Sequence, residues 1–344
     1  MLVAVLVGVA LPAAFPSEQV DVSLVTADES FLAPGVHRGF NVTAYTPLGF
    51  SGPGATQALQ ALAATGSTHA AFVPTWYQPT IASNEMAPDA DKTVSDASLV
   101  AGLQAARAAG LQVVVKPHVD VADGTFRGLI RPADYDVWFA AYREMLLRYA
   151  RIAQTAGAEL FVIGDELTGV QGDTVRWPPL IAAVREVFKG KLTYAANWDP
   201  GYKAVPFWKL LDYVGIDEYH PLVTGTDTPT AKQLQAAWAP LVDELRAAHE
   251  ETGKPLLLTE LGYPSRRGST AAPAGEDFGR PVDARGQARA YTAAYRALRG
   301  LPYVAGIYWW EWPTDARDHE ADGGAGNYTP RGKSAERVLR DFSG

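Results

Sequence analysis

Residues 159–168 read Glu-Leu-Phe-Val-Ile-Gly-Asp-Glu-Leu-Thr, an apolar run that passes without a break into Asp165 and Glu166. Residues 255–264, Pro-Leu-Leu-Leu-Thr-Glu-Leu-Gly-Tyr-Pro, repeat the device and place Glu260 at the end of a second run. Working outward, six more apolar runs lie near 37–43, 69–75, 111–118, 191–196, 212–217 and 303–310. Segments such as Leu111-Gln-Val-Val-Val115 are continuous rather than alternating, as expected of parallel strands covered on both faces. Between the runs, 132–156 and 230–252 carry apolar residues at three- and four-residue intervals, with Pro132 and Pro229 near their starts and Gly157 and Gly253 after their ends. Those are helices with ordinary stop and start signals. Eight strand and helix pairs in about 310 residues predict an α/β fold, a single (β/α)8 TIM barrel. The competing doubly wound sheet lacks its signature, because no run is followed by Gly-x-Gly-x-x-Gly or a phosphate-binding Gly-Lys-Ser/Thr turn. Gly49-Phe-Ser-Gly52-Pro-Gly54 reads as a Gly/Pro loop. The long irregular segments 77–95 and 264–283 both follow strands and are expected on the catalytic face.

The whole composition agrees with one packed domain. Of 344 residues, 47% are hydrophobic and 20% charged, which excludes a disordered chain or a rod. Thirty Lys and Arg face 38 Asp and Glu, and the resulting net charge of −8 opposes nucleic acid and anionic membranes as partners. The absence of cysteine removes disulfides, thiolate metal sites and Cys nucleophiles together. From Leu2 to Phe15 the chain is apolar, but as a helix it reaches only about 21 Å, short of the roughly 30 Å needed to span a bilayer. Its length and the small Ala13 and Ala14 fit the apolar part of a secretory signal. The expectation is therefore a signal-like or irregular segment over 1–30, a catalytic barrel over 31–344, and a secreted or cell-envelope location. A buried terminal segment, or a start codon placed too far downstream, is the alternative.

Barrel closure makes Glu166 and Glu260 face one another across the mouth. A carboxylate after an apolar strand is costly unless solvated or paired, so a single case reads as a helix cap or surface charge. Two such carboxylates about 5–5.5 Å apart suit retaining glycoside hydrolysis, one as nucleophile and one as acid and then base. Other strand ends offer sugar ligands. Lys116, His118 and Asp120 alternate after the third run, Asn197-Trp198-Asp199 follows the fifth, and Asp217 ends the sixth. The eighth run carries Trp309, Trp310, Glu311 and Trp312. Alternation puts Trp310 and Trp312 on one side and Trp309 on the other, with Trp310 the expected floor of the central subsite. Trp76 is either a sugar platform or loop packing. A metal centre using His118 with Asp120 or His220 is the sharper alternative, but neither His-x-His nor His-Glu-x-x-His occurs. No Gly-x-Ser-x-Gly elbow supports a serine triad. No metal or cofactor is expected, and the expected partner is a neutral polysaccharide or oligosaccharide. A noncatalytic carbohydrate-binding barrel and a metal-dependent barrel hydrolase remain as alternatives.

Gly-Asp-Glu-Leu after the fourth run, Thr-Glu-Leu-Gly-Tyr after the seventh and Tyr-Trp-Trp-Glu-Trp in the eighth together resemble glycoside hydrolase family 113. The likeness extends from Arg38 and Gly39-Phe-Asn41 to Tyr328-Thr-Pro-Arg-Gly-Lys-Ser-Ala-Glu336. That family belongs to clan A of the retaining (β/α)8 glycosidases, and its characterised members are chiefly β-mannanases. The resemblance implies Glu166 as acid/base and Glu260 as nucleophile, the pair already reached from strand placement. It also puts Tyr219 in the place of a tyrosine that hydrogen-bonds the nucleophile. Two departures stand out. Clan A usually has Asn before the acid/base, contacting the sugar 2-hydroxyl, where this chain has Asp165, which accepts but cannot donate. The clan's common arginine after the second strand is not evident in Thr75-Trp76-Tyr77-Gln78. The expected function is thus a retaining endo-β-glycosidase acting on β-1,4-mannan or a related neutral β-glycan.

Overall fold

Each of the eight apolar runs becomes a strand of one parallel, closed barrel. A computed structural model describes residues 35–198, 201–224, 228–275, 279–315 and 324–343. The apolar segment 2–15, Asp199 and the reading of residues 1–30 fall outside them. The barrel strands are β1 (His37–Thr43), β2 (His69–Phe72), β4 (Gln112–Val115), β6 (Leu160–Asp165), β7 (Lys191–Asn197), β8 (Val214–Glu218), β9 (Leu256–Leu261) and β10 (Val304–Pro313). They close in the order β1-β10-β9-β8-β7-β6-β4-β2. Two short strands, β3 (Thr75–Gln78) and β5 (His118–Val121), pair with each other and extend the wall beyond β2 and β4. The third run, expected as one strand over 111–118, is therefore split at Lys116 and Pro117.

Helices α1 (Pro53–Ala63), α2 (Asp96–Ala108), α3 (Tyr135–Thr155), α4 (Trp177–Val187), α5 (Ala231–Thr252), α6 (Ala284–Leu298) and α7 (Ser334–Ser343) cover the outside. Helix α5 starts where the sequence says it should, because Thr230 and Gln233 form a reciprocal cap, and Gly253 ends it in the left-handed region. The β7 to β8 connection differs from a regular strand and helix pair. Its described part holds only two 3-10 turns, Gly201–Ala204 and Trp208–Leu210. Inside the barrel, Ala71, Val114, Leu160, Val162, Ala195, Leu257 and Tyr308 form the buried plug beneath the mouth. No helix among the described residues is long and apolar enough to cross a membrane.

Three strands break their alternation at the carboxyl end, and this places the polar side chains. Between Val162 and Asp165, β6 advances three residues while β7 advances two. Between Leu258 and Glu260, β9 advances two residues while β8 advances one. From Trp309 to Trp312, β10 advances three residues while β1 advances two. Each is a bulge, which re-aims the side chains beyond it. Strict alternation from the inward Val162 and Leu257 would turn Asp165 and Glu260 outward.

The opposite end of the barrel holds a buried polar group of its own. His37 and His69 stack with centroids 3.9 Å apart, and their Nε2 atoms lie 3.7 and 3.2 Å from the Glu159 carboxylate. Burial, helped by the neighbouring His69 and opposed by Glu159, pushes the His37 pKa down to about 4. The unfolded chain takes up this proton below about pH 6.5 and the folded chain does not, so stability is lost as pH falls from about 6.5 to 4. The expected loss is on the order of 3 kcal/mol in urea denaturation over that window. His37→Gln should flatten the profile, and an unchanged slope in the variant removes this account.

Candidate active site

The bulges gather a dense charged layer at the mouth. Lys116, buried between β4 and β5, points its ammonium at three carboxylates: Asp165 Oδ1 at 2.7 Å, Asp217 Oδ1 at 3.8 Å, and Glu260 Oε1. Burial disfavours its charge, but Asp165, Asp217 and Glu260 outweigh that and raise its pKa above the ordinary lysine value. His118 places Nε2 3.2 Å from Asp165 Oδ2, and its ring lies parallel to Trp310 with centroids 6.0 Å apart. Lys116 Nζ stands 5.8 Å from the same indole ring, a cation over an aromatic face.

Glu260 and Glu166 receive different partners. The Tyr219 hydroxyl donates to Glu260 Oε2 at 2.8 Å, while Lys116 addresses Oε1. Asn197 Nδ2 donates to Glu166 Oε1 at 3.0 Å, and Arg127 NH1 to Oε2 at 3.2 Å. Burial, with Asp165 next and Glu260 adding, pushes the Glu166 pKa up to about 8, against the opposing charges of Arg127 and Lys116. Asp165 goes the other way. Burial would raise it, but His118, Lys116 and Arg127 together hold it well below the usual carboxylate range. Two adjacent carboxyls thus differ in protonation at neutral pH, the separation expected of an acid beside a fixed charge. Glu166 also has φ 50°, the left-handed region that costs a non-glycine residue about 1–2 kcal/mol. Backbone strain of this kind concentrates at functional positions.

Asp217 is fully buried, and among the described residues neither of its carboxyl oxygens has a hydrogen-bond partner. Burial pushes its pKa well above the ordinary value, Lys116 opposing and Glu260 reinforcing. Trp198 lies half-buried with its ring 4.4 Å from that of His220, beside the Asn197 end of β7.

Three expected ligands are placed elsewhere. Trp312 is buried on the outer face, donating its indole N–H to Ala58 O on α1 at 2.9 Å and packing edge-on against Phe40. The β10 bulge is the reason, since it gives Trp312 the same side as Trp309, which stacks on Tyr291 of α6 at 3.7 Å. Trp310 alone of the three turns to the mouth. Trp76, half-buried, donates to the Tyr149 hydroxyl on α3 at 2.8 Å, which ties its indole toward the helix layer. Glu311 is buried at the seam of β1 and β10, where Thr43 Oγ1 donates to it at 2.7 Å.

One residue at the centre escaped the sequence reading. Arg127 follows β5 in a 3-10 turn, Arg127–Leu129, and reaches Asp165, Glu166 and Asp120. A lone arginine in a loop has no periodicity to mark it. Its one signal was Asp120, the last member of the alternating Lys116, His118, Asp120 series and an anion in need of a partner.

Two groups among the described residues bring three metal-type ligand atoms within 4.8 Å: His118 with Asp165 and Glu260, and His37 with His69 and Glu159. In the first, the Lys116 ammonium already lies against both carboxylates. In the second, the two imidazole planes are within 10° of parallel, so their lone pairs run side by side instead of converging.

No curated protein sequence matches the chain. Among solved structures, a GH113 β-mannanase from Alicyclobacillus acidocaldarius in complex with ManMIm is 30% identical, with TM-score 0.81, over 92% of this chain and 99% of its own. A second, a GH113 β-1,4-mannanase complex, is 27% identical with TM-score 0.79, over 90% and 98% of the two chains. A β-glucuronidase from Ruminococcus gnavus, 14% identical with TM-score 0.63, shares the fold over 90% of this chain and half of its own. The sequence profile of Glycoside Hydrolase Family 113 matches residues 42–333. With that span and the paired carboxyls at the barrel mouth, the chain belongs to glycoside hydrolase family 113 and is a glycosidase.

Proposed function

We propose that the protein is a retaining endo-β-glycosidase that cleaves β-1,4-mannan or a related neutral β-glycan by double displacement. The observation that carries the reading is the contrast between Glu166, pushed up to about 8, and Glu260, whose two oxygens face the Tyr219 hydroxyl and the Lys116 ammonium. In the first step the Glu260 carboxylate attacks the anomeric carbon while Glu166 gives its proton to the departing glycosidic oxygen. The carbon–oxygen bond breaks and a glycosyl ester forms on Glu260. In the second step Glu166, now a carboxylate, takes a proton from water as that water attacks the anomeric carbon, and the ester breaks. Esterification removes the Glu260 charge that helps keep Glu166 protonated, so the chemistry itself favours the change from acid to base.

Trp310 supplies an apolar face for the sugar at the cleaved bond, and Lys116, Asp165 and His118 supply partners for its hydroxyls. The two family 113 β-mannanases point to mannan as the glycan. A polymer of that kind lies outside the cell, so export through the apolar segment 2–15 is part of the proposal.

Product analysis on defined β-1,4-linked mannan, glucan and xylan oligosaccharides tests it, with the anomer of the first product read by NMR before mutarotation. Internal cleavage of manno-oligosaccharides with the β anomer formed first is the expected result. An α product overturns the double displacement, and preference for another glycan reassigns the substrate.

A further inference from the structure

We propose that Arg127, clamped by Asp120, is a positioning residue that lets Glu166 change from acid to base within one catalytic cycle. This rests on the reading of Glu166 as acid/base. The guanidinium uses two edges. Nε donates to Asp120 Oδ1 at 2.9 Å, NH2 lies 2.7 Å from the same oxygen, and NH1 donates to Asp165 and to Glu166 Oε2. Among the described residues Asp120 makes no hydrogen bond or ion pair with either glutamate, so its effect on the chemistry passes through Arg127.

The turn that carries Arg127 is braced on both sides. Leu129 and Ile130 donate backbone N–H groups to Phe126 O and Arg127 O, at 3.0 and 3.1 Å. Arg131 and Ala133 donate to Ile81 O and Ala82 O, at 2.9 and 3.0 Å, pinning the following chain to the neighbouring loop. Phe126 packs against Gly128, where an added Cβ would meet its ring at 2.3 Å. A mobile surface arginine would need none of these ties.

The chemistry gives the clamp its purpose. Burial, Asp165 and Glu260 all hold the proton on Glu166, which serves departure of the leaving group but blocks activation of water. Arg127 is the foremost charge acting against them. Removing it leaves Glu166 overprotonated, with the cost falling on the second step. A residue that only supported the loop would slow both steps and leave their pH dependence alone.

The test uses the full chain, with an activated aryl β-mannoside and an unactivated manno-oligosaccharide. Arg127→Gln is expected to move the alkaline limb of kcat/KM upward by about one pH unit or more. It should also produce a pre-steady-state burst of phenol, as glycosyl ester accumulates ahead of a second step slowed about 10- to 100-fold. Asp120→Asn keeps the guanidinium charge and removes its anchor, so a limb moved upward by less than in Arg127→Gln supports positioning, whereas a limb moved downward, as charge compensation alone gives, overturns it; its partly exposed side chain makes it the variant to rely on if Arg127→Gln fails to fold. Arg127→Lys, with one charged nitrogen for three carboxylates, should restore the limb part of the way. Lower activity with an unmoved limb and no burst overturns the inference. Trapping wild type with a 2-deoxy-2-fluoro glycosyl fluoride separates the two levels. Labelling of Glu260 beside an unmoved limb sinks only the role of Arg127, whereas absence of any covalent adduct sinks the double displacement beneath it.

Discussion

Glu260→Ala is expected to lower kcat on unactivated manno-oligosaccharides by at least ~10⁴-fold, since no other group can form the glycosyl ester. The neighbouring carboxyls offer no substitute. Asp165 is engaged by Lys116, His118 and Arg127, and Asp217 is buried with its pKa raised well above the carboxylate range. Azide added to the variant should enter the space vacated by the side chain and attack an activated aryl β-mannoside from the same face. The product is a glycosyl azide of inverted configuration. Folding should survive, because Lys116 keeps Asp165 at 2.7 Å when Glu260 is gone. A circular dichroism spectrum and thermal midpoint close to wild type therefore accompany the loss. Wild-type turnover in the variant would place the nucleophile elsewhere.

The strands were legible because parallel strands covered on both faces are continuously apolar, and that signal needs no knowledge of partners. Glu166 and Glu260 were legible for the same reason. A charge at the end of such a run stands out, and barrel closure converts 94 positions of sequence into neighbours at one rim. What failed was parity. Counting by twos along the eighth run gave Trp310 and Trp312 one side, and the bulge opposite Phe40 and Val42 separated them. A bulge depends on how two strands slip against each other, which neither strand encodes alone. Trp76 is a different case. Its indole finds Tyr149, whose position depends on how α3 packs, a tertiary fact beyond a four-residue strand. Arg127 failed for want of any pattern, since it comes from a loop after β5 and reaches Asp120, Asp165 and Glu166 from there.

Glu166→Ala should lower kcat/KM on unactivated oligosaccharides by about 10²–10⁴-fold, the usual worth of a positioned proton donor. An aryl mannoside whose phenol leaves without a proton should keep a near-normal first step. Azide should then accelerate breakdown of the ester and give a product of retained configuration, opposite to that from Glu260→Ala. In wild type the protonated Glu166 is the competent form, so kcat/KM should fall as pH rises through about 8. Burial is the main cause of that value, and the Asp165 charge comes next. Asp165→Asn removes the second cause and leaves Lys116 and Arg127 less compensated, which also favours the Glu166 carboxylate. The alkaline limb should therefore move below 8 in Asp165→Asn, the reverse of its shift in Arg127→Gln. If both variants shift the limb in one direction, or neither shifts it, the limb belongs to a group other than Glu166.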